Sequence, residues 1–163
     1  MTEEVYGEAM KFFSDRQQDP GKRTGLNVQF TATRKKYPTL SVEVAPILEP
    51  GQSPYWASKI TIQLTPTELT AFCGVMFGLR KSMKGAYHGE AKNKGIAAYN
   101  NGPSGAVIVL SEQGRQLQNF LTPEDRLELA VFSTRRLAEA WKVTPSDAVA
   151  FLRQAAWLDR QPS

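Results

Sequence analysis

The feature that most constrains the fold is a helix start that occurs twice, each time directly after a strand-like segment. A Thr-Pro-Thr-Glu motif at 65–68 follows the alternating segment 59–64, and Thr-Pro-Glu-Asp at 122–125 follows segment 115–121, 57 residues later. The threonine can cap free amides, the proline fits the first helical position, and an acid in the first turn strengthens the cap. A strand–helix order repeated at this spacing predicts an internal duplication.

The rest of the chain fits two copies of an antiparallel sheet that ends in a helix. Apolar and polar residues alternate, or turn signals bound short apolar runs, in six segments that we interpret as strands: 28–33, 40–44, 59–64, 96–99, 106–110 and 115–121. Apolar residues at helical spacing predict helices over 3–17, after 65, over 123–142 and, from a third Thr-Pro start, over 145–158. We therefore expect an α+β fold in a single domain, 1–163. Its first unit covers about 27–80, its second about 84–142, and its C-terminal helix about 145–158. That helix either caps the core or serves as an arm that binds a partner.

Composition excludes several classes of protein. Of 163 residues, 41% are hydrophobic and 22% are charged, which is typical of a globular domain. The chain contains one cysteine, Cys73, and one histidine, His88, too few for a disulfide framework or a structural zinc site. The longest apolar stretches fall far short of a membrane span, so we expect no membrane partner. Because Cys and His are so few, we also expect no metal.

No pattern of catalytic residues stands out. His88 has only Glu90 near it in sequence as an orienting acid, and Ser104 lies in a hairpin signal rather than a nucleophile motif. Cys73 lies on the apolar face of its helix, which favours a buried, inert thiol. We expect a protein that is not an enzyme, with no catalytic residues and no cofactor.

The positive charge is concentrated in the middle of the chain. The net charge of +4 divides into −3 for residues 1–20, +7 for 21–100 and zero for 101–163. A cluster of basic residues attracts polyanions and releases their counterions, which makes nucleic acid the first partner to consider. A basic surface that is merely solvated remains the alternative.

The segment from Tyr55 to Leu69 (YWASKITIQLTPTEL) resembles the Whirly family, single-stranded DNA-binding proteins best known from plant organelles. The strand-like run 37–46 and the layout of 94–141 are also similar to that family, so the resemblance covers about 27–142. It implies two ββββα-like units with pseudo-twofold symmetry and extra terminal helices, in homotetramers whose helices form the core and whose sheets face outward. Relatives of the same fold bind guide RNA, so RNA remains a possible partner.

Single-strand binding needs cations for the phosphates and exposed rings on which bases stack. Twelve residues supply both close together in sequence, and we predict them as the nucleic-acid-binding site: Arg34, Lys35, Lys36, Tyr37, Tyr55, Trp56, Lys59, Lys84, Tyr87, Lys92, Lys94 and Tyr99. Trp56 has the alternative role of an anchor for its loop, and Tyr37 and Tyr99 that of ordinary strand residues.

The function we expect is binding of single-stranded DNA with low sequence specificity, in replication, repair, recombination or DNA transfer. The alternatives are an RNA-binding or annealing protein of the same fold and an interaction scaffold that binds no nucleic acid. The acidic first residues show no transit peptide, from which we expect a cytoplasmic, nucleoid-associated protein of bacterial, phage or plasmid origin.

Overall fold

The chain forms two four-stranded antiparallel sheets and three helices, in a computed structural model that describes residues 7–161. Each sheet keeps its strands in chain order and is followed by a helix, so the two units have the same ββββα plan. The first unit contains β1 Ala9–Phe12, β2 Thr24–Ala32, β3 Pro38–Pro46, β4 Ile60–Gln63 and α1 Pro66–Met76. The second unit contains β5 Ser82–His88, β6 Lys94–Asn100, β7 Ala106–Glu112, β8 Arg115–Leu121 and α2 Pro123–Trp141, and α3 Pro145–Asp159 follows it. The predicted α+β fold of two sheet-plus-helix units is confirmed.

All three helices begin at the predicted Thr-Pro motifs. The Thr65 hydroxyl accepts a hydrogen bond from the Glu68 amide at 3.2 Å, and the Glu68 carboxylate accepts one from the Thr65 amide at 2.9 Å. This reciprocal capping box satisfies two amides that would otherwise lack partners. Thr122 and Thr144 cap α2 and α3 in the same way, by accepting from the third residue of each helix.

Each unit's helix covers the sheet of the other unit. The helix α1 packs on β5 and β6, whereas α2 packs mainly on β3. The inner faces of both sheets and the two helices therefore share one core, in which Phe72, Leu69 and Leu129 are at most 1% exposed.

The expectation of an N-terminal helix over 3–17 is wrong for the part of it that the structure describes. Residues 9–12 form β1, which pairs with β2 so that Met10 lies opposite Val28 and Phe12 opposite Leu26. Residues 1–6 lie outside the described part. The spacing of Ala9, Phe12 and Phe13 fits a helix as well as a strand, and pairing with a distant strand decides between them. The first sheet thus begins at Ala9, before the expected start of the first unit near residue 27.

The two sheets are joined along a seam, which we define as the contacts of residues 15–24 with β8. The Asp15 carboxylate accepts hydrogen bonds from the amides of Thr24 at 2.8 Å and Phe120 at 3.0 Å. The Thr24 hydroxyl donates to the Gln118 carbonyl at 2.7 Å. The connection between β1 and β2 therefore holds the start of β2 against the edge of the second sheet.

Candidate nucleic-acid interface

The outer face of the second sheet carries an open trough of about 410 Å³. Along β6, Ile96 and Ala98 point into the core, so Gly95, Ala97 and Tyr99 occupy the outer face. The trough is defined by the following lining residues: Lys84, Gly85, Ala86, Gly95, Ile96, Ala97, Tyr99, Val109, Ser111 and Gln116. Its depth follows from small side chains on neighbouring strands, since Ala97 pairs with Val109 and Gly95 with Ser111.

One ring, Tyr99, and one cation, Lys84, border this trough. Tyr99 lies in one cross-strand row with Val107 and Phe120, and Lys84 lies opposite Ala97 on the edge strand β5. Tyr99 is half-buried and Lys84 is exposed. A floor of small residues between an aromatic ring and an ammonium group can accept a flat base while the cation meets its phosphate.

The outer face of the first sheet is polar and its groups bond to one another. The Glu43 carboxylate lies 2.8 Å from the Lys59 ammonium and accepts hydrogen bonds from Asn27 at 2.8 Å and Thr61 at 3.0 Å. Burial by itself would raise the pKa of Glu43, but these three hydrogen bonds and the charge of Lys59 outweigh it and leave the pKa below its usual value. The carboxylate therefore neutralises Lys59, one of the predicted phosphate contacts.

The loop 47–59 covers one end of this face. Gly25 on β2 leaves space for Pro54, because a Cβ there would lie 2.3 Å from Cγ of Pro54 and 3.6 Å from the Trp56 ring. The Lys11 ammonium lies 5.4 Å from the centroid of the half-buried Trp56 ring. This packing supports the alternative of Trp56 as a loop anchor, while Tyr55 beside it is 49% exposed.

The basic turn between β2 and β3 lies at the far end of the first sheet. It carries Arg34, Lys35, Lys36 and Tyr37, all exposed. Nine residues of β2 separate this turn from the level of Trp56, which corresponds to about 25–30 Å of strand. Within one chain, the turn and Trp56 are therefore separate surfaces.

The hairpin between β5 and β6 presents another ring and another cation. Tyr87 is 80% exposed at a positive φ of 62°, and Lys92 is exposed in the turn that follows. Next to Tyr87, the His88 Nε2 atom lies 2.9 Å from the Glu68 carboxylate, which also caps α1. The acid beside His88 is thus Glu68 rather than Glu90, and the pair fastens the hairpin to the helix.

Lys94 is engaged in joining the two sheets. Its ammonium donates to the Thr61 carbonyl of β4 at 3.4 Å and lies 3.7 Å from the Glu112 carboxylate. Of the twelve predicted residues, the structure brings Lys84 and Tyr99 together in the trough, with Tyr87 and Lys92 on the adjoining hairpin.

Sequence reasoning missed the polar and apolar side chains of the outer face of β7 and β8. Val109, Ser111, Gln116, Gln118 and Phe120 occupy the positions that alternate with the core residues of those strands. The signal was present, because every second residue of a strand with one buried face lies on the other face. These positions carry neither a positive charge nor, apart from Phe120, a ring, so a pattern of cations and rings does not indicate them.

The remaining titratable groups give no second centre in the part of the chain that the structure describes. No cluster of three or more His, Cys, Asp or Glu side chains that could hold a metal occurs among residues 7–161. Burial raises the pKa of the Cys73 thiol to about 12. Within the same range, no helix has the length and apolar character needed to cross a bilayer.

Comparisons with known proteins identify the fold. No family model matches the chain, and no curated protein matches it. Among solved structures, WHY1 from Arabidopsis thaliana matches with a TM-score of 0.62 and 17% identity, over 100% of this chain and 99% of that one. The plant transcriptional regulator PBF-2 matches with a TM-score of 0.62 and 14% identity, over 99% and 100%. The MRP1/MRP2 proteins of Trypanosoma bruciei match with a TM-score of 0.53 and 10% identity, over 82% and 85%. The chain is similar to Whirly proteins along its whole length, and it has the Whirly-like α+β fold.

Proposed function

We propose that this protein binds single-stranded nucleic acid, and single-stranded DNA in particular, on the outer face of its second sheet and without catalysing a reaction. The observation that carries this proposal is the trough, in which small side chains form a floor between Tyr99 and Lys84. The Whirly-like fold supports it, because the proteins that share this fold include a plant transcriptional regulator.

Binding has two physical parts. The basic middle of the chain, which carries +7 over residues 21–100, attracts the strand and displaces its counterions. Bases then stack on the accessible part of the Tyr99 ring, with apolar contact to Ala97 and Val109. Because stacking recognises ring faces rather than hydrogen-bond patterns, sequence specificity is low.

The test is fluorescence anisotropy with labelled oligo-dT, duplex DNA and oligo-U of equal length at several salt concentrations. We expect oligo-dT to bind more tightly than duplex, with an affinity that falls steeply with salt. Tighter binding of oligo-U than of oligo-dT would favour the RNA-binding alternative. Absence of binding to all three would overturn the proposal and favour the scaffold alternative.

We also propose that the protein is a homo-oligomer, a tetramer, held by its helices. Large apolar side chains of α2 and α3 are exposed: Leu127, Val131, Trp141, Phe151, Trp157 and Leu158 are 36–57% exposed. Exposed apolar residues in such number are typical of an interface. Light scattering at micromolar concentration should give a mass several times 18.1 kDa, and a monomer mass would contradict the proposal.

Three further expectations remain predictions: a role in replication, repair, recombination or transfer, a bacterial or mobile-element source, and a nucleoid location.

A further inference from the structure

A second cavity, of about 440 Å³, opens at the seam between the two sheets. We call it the seam pocket, and its polar and charged lining residues are Gln17, Lys22, Arg23, Thr24, Gln116 and Gln118. The volume falls within the range of small-ligand sites in proteins.

The lining of the seam pocket is basic and contains no acidic side chain. The two acids close to it in sequence are occupied with backbone amides: Asp19 accepts from the Gly21 amide at 2.9 Å, and Asp15 accepts from the amides of Thr24 and Phe120. Lys22 is exposed, and it forms no ion pair within the described part of the chain. The pocket is therefore suited to an anion.

The walls of the pocket are held in place before any ligand arrives. The Arg23 Nε atom donates to the Gln17 carbonyl at 2.9 Å, which fixes the side chain at the rim. Thr24 is 1% exposed, and its hydroxyl is bonded to the Gln118 carbonyl and 3.2 Å from the Asp15 carboxylate. A pocket whose walls are already ordered loses little conformational entropy when it binds.

The seam pocket and the trough share a lining residue. Gln116 lines both, at the end of the cross-strand row that contains Gly95 and Ser111. A strand that lies in the trough and leaves across β8 therefore reaches Lys22 and Arg23 next.

We propose that the seam pocket binds the phosphodiester and the adjoining nucleotide of the same strand that the trough holds. An ammonium and a guanidinium are the groups that proteins use for phosphate, and the guanidinium can bind two of its oxygens. The amides of Gln17, Gln116 and Gln118 both donate and accept, so they can meet the edge of any base. This proposal rests on the proposed function, because it extends the strand from the trough.

The experiment is an anisotropy series with oligo-dT from about four to about sixteen nucleotides, the span of common single-strand site sizes. It compares the full-length wild type with Lys22→Glu. We expect the shortest oligomers, which fill the trough alone, to bind both proteins equally. Longer oligomers should lose about tenfold in affinity for Lys22→Glu and show a shallower salt dependence, since one phosphate contact is removed. Lys142→Glu, an equal charge change at the end of α2, is the control and should bind every length like the wild type.

A competition arm separates a strand phosphate from free phosphate. Thymidine monophosphate and inorganic phosphate are added to wild type bound to the longest oligomer, and we expect neither to compete at millimolar concentration. Displacement by the mononucleotide would overturn the proposal in favour of a free-nucleotide site. Equal loss for Lys22→Glu at all lengths, or no loss at any length, would also overturn it while leaving the proposed function intact. A wild type that binds no oligomer at all would overturn both.

Discussion

The strands of both sheets follow one another in chain order, but the outer faces of the two sheets differ in character. The first sheet buries Asn27 to 6% exposure and joins it to Glu43, Thr61 and Lys59 in one bonded group. The second sheet leaves the corresponding area as an open trough with the exposed Lys84 at its edge. The same ββββα plan thus yields one face that satisfies its own polar groups and one that is available to a ligand.

The connection between the last two strands of each sheet accounts for the difference. In the first sheet, residues 47–59 join β3 to β4 and fold back over the face, where Pro54 fills the space above Gly25. In the second sheet, Gln113 and Gly114 alone join β7 to β8, both at positive φ, as a tight two-residue hairpin turn requires. A loop of thirteen residues covers one end of its sheet's outer face, whereas a turn of two leaves its sheet uncovered.

The largest expected effect comes from placing a carboxylate on each face in turn. Ala97→Glu puts a negative charge in the trough, where it would meet the phosphates, and affinity for oligo-dT should fall by about 2–3 kcal/mol. Gln63→Glu makes the same charge change on the exposed outer face of β4 and should cost much less. Anisotropy measures both affinities, and melting temperature shows that both variants fold. Equal losses would mean that the strand uses both faces, and a larger loss for Gln63→Glu would reverse the comparison.

Removing a ring from each face should give a smaller effect that differs in kind. Tyr99→Ala should weaken binding by about 1–3 kcal/mol, the value of a stacked base, and lower stability by only about 0.2–1 kcal/mol through its cross-strand pairs. Trp56→Ala should instead lower stability by about 2–3 kcal/mol, somewhat less than for a fully buried ring, because it anchors the loop over Gly25.

Parallel measurements of melting temperature and anisotropy on both variants separate the two roles. Tyr55→Ala, which removes the exposed ring next to Trp56, serves as the control for the loss of an aromatic side chain. A Trp56→Ala protein that melts like the wild type and binds oligo-dT weakly would mean that Trp56 contacts the nucleic acid. In that case both outer faces, and not only the second, would take part in binding.

The fold was predictable to the extent that local chemistry determines it. The three Thr-Pro helix starts and the alternation of Val28, Leu40 and Val42 depend on neighbours in sequence, and each of these elements is present. The strand β1 was missed because its identity depends on pairing with β2, and β5 was missed because its alternation is interrupted. Four residues of β1 do not distinguish a strand from a helix, and Gly85, together with an irregularity between Gly85 and His88, interrupts the alternation of β5.

The site was less predictable, because charge and rings in sequence do not indicate which of them remain available. Nothing local to Lys59 shows that Glu43, on the neighbouring strand β3, accepts its charge. Nothing near Lys94 shows that its ammonium reaches the Thr61 carbonyl in the other sheet. Lys84 and Tyr99 were selected because cations and rings lie close together in that stretch of sequence, and the pairing of β5 with β6 brings them to one trough.

The smallest expected effect concerns pH and belongs to the first sheet. Because the folded pKa of Glu43 lies below its unfolded value of about 4.3, its ionised form stabilises the fold above that pH, and this stabilisation is lost as the pH falls through the folded pKa. Glu43→Gln should therefore lower the melting temperature at neutral pH by a few degrees, roughly 1 kcal/mol, and the difference from the wild type should shrink below about pH 4. Glu90→Gln, in an exposed turn, controls for the loss of one charge. Affinity for oligo-dT gives the second measurement. Glu43→Gln releases the Lys59 ammonium, and if the nucleic acid lies on the second sheet, affinity at neutral pH should change by less than about threefold. A gain of about tenfold would mean that the first sheet also binds the nucleic acid and that Glu43 weakens this binding.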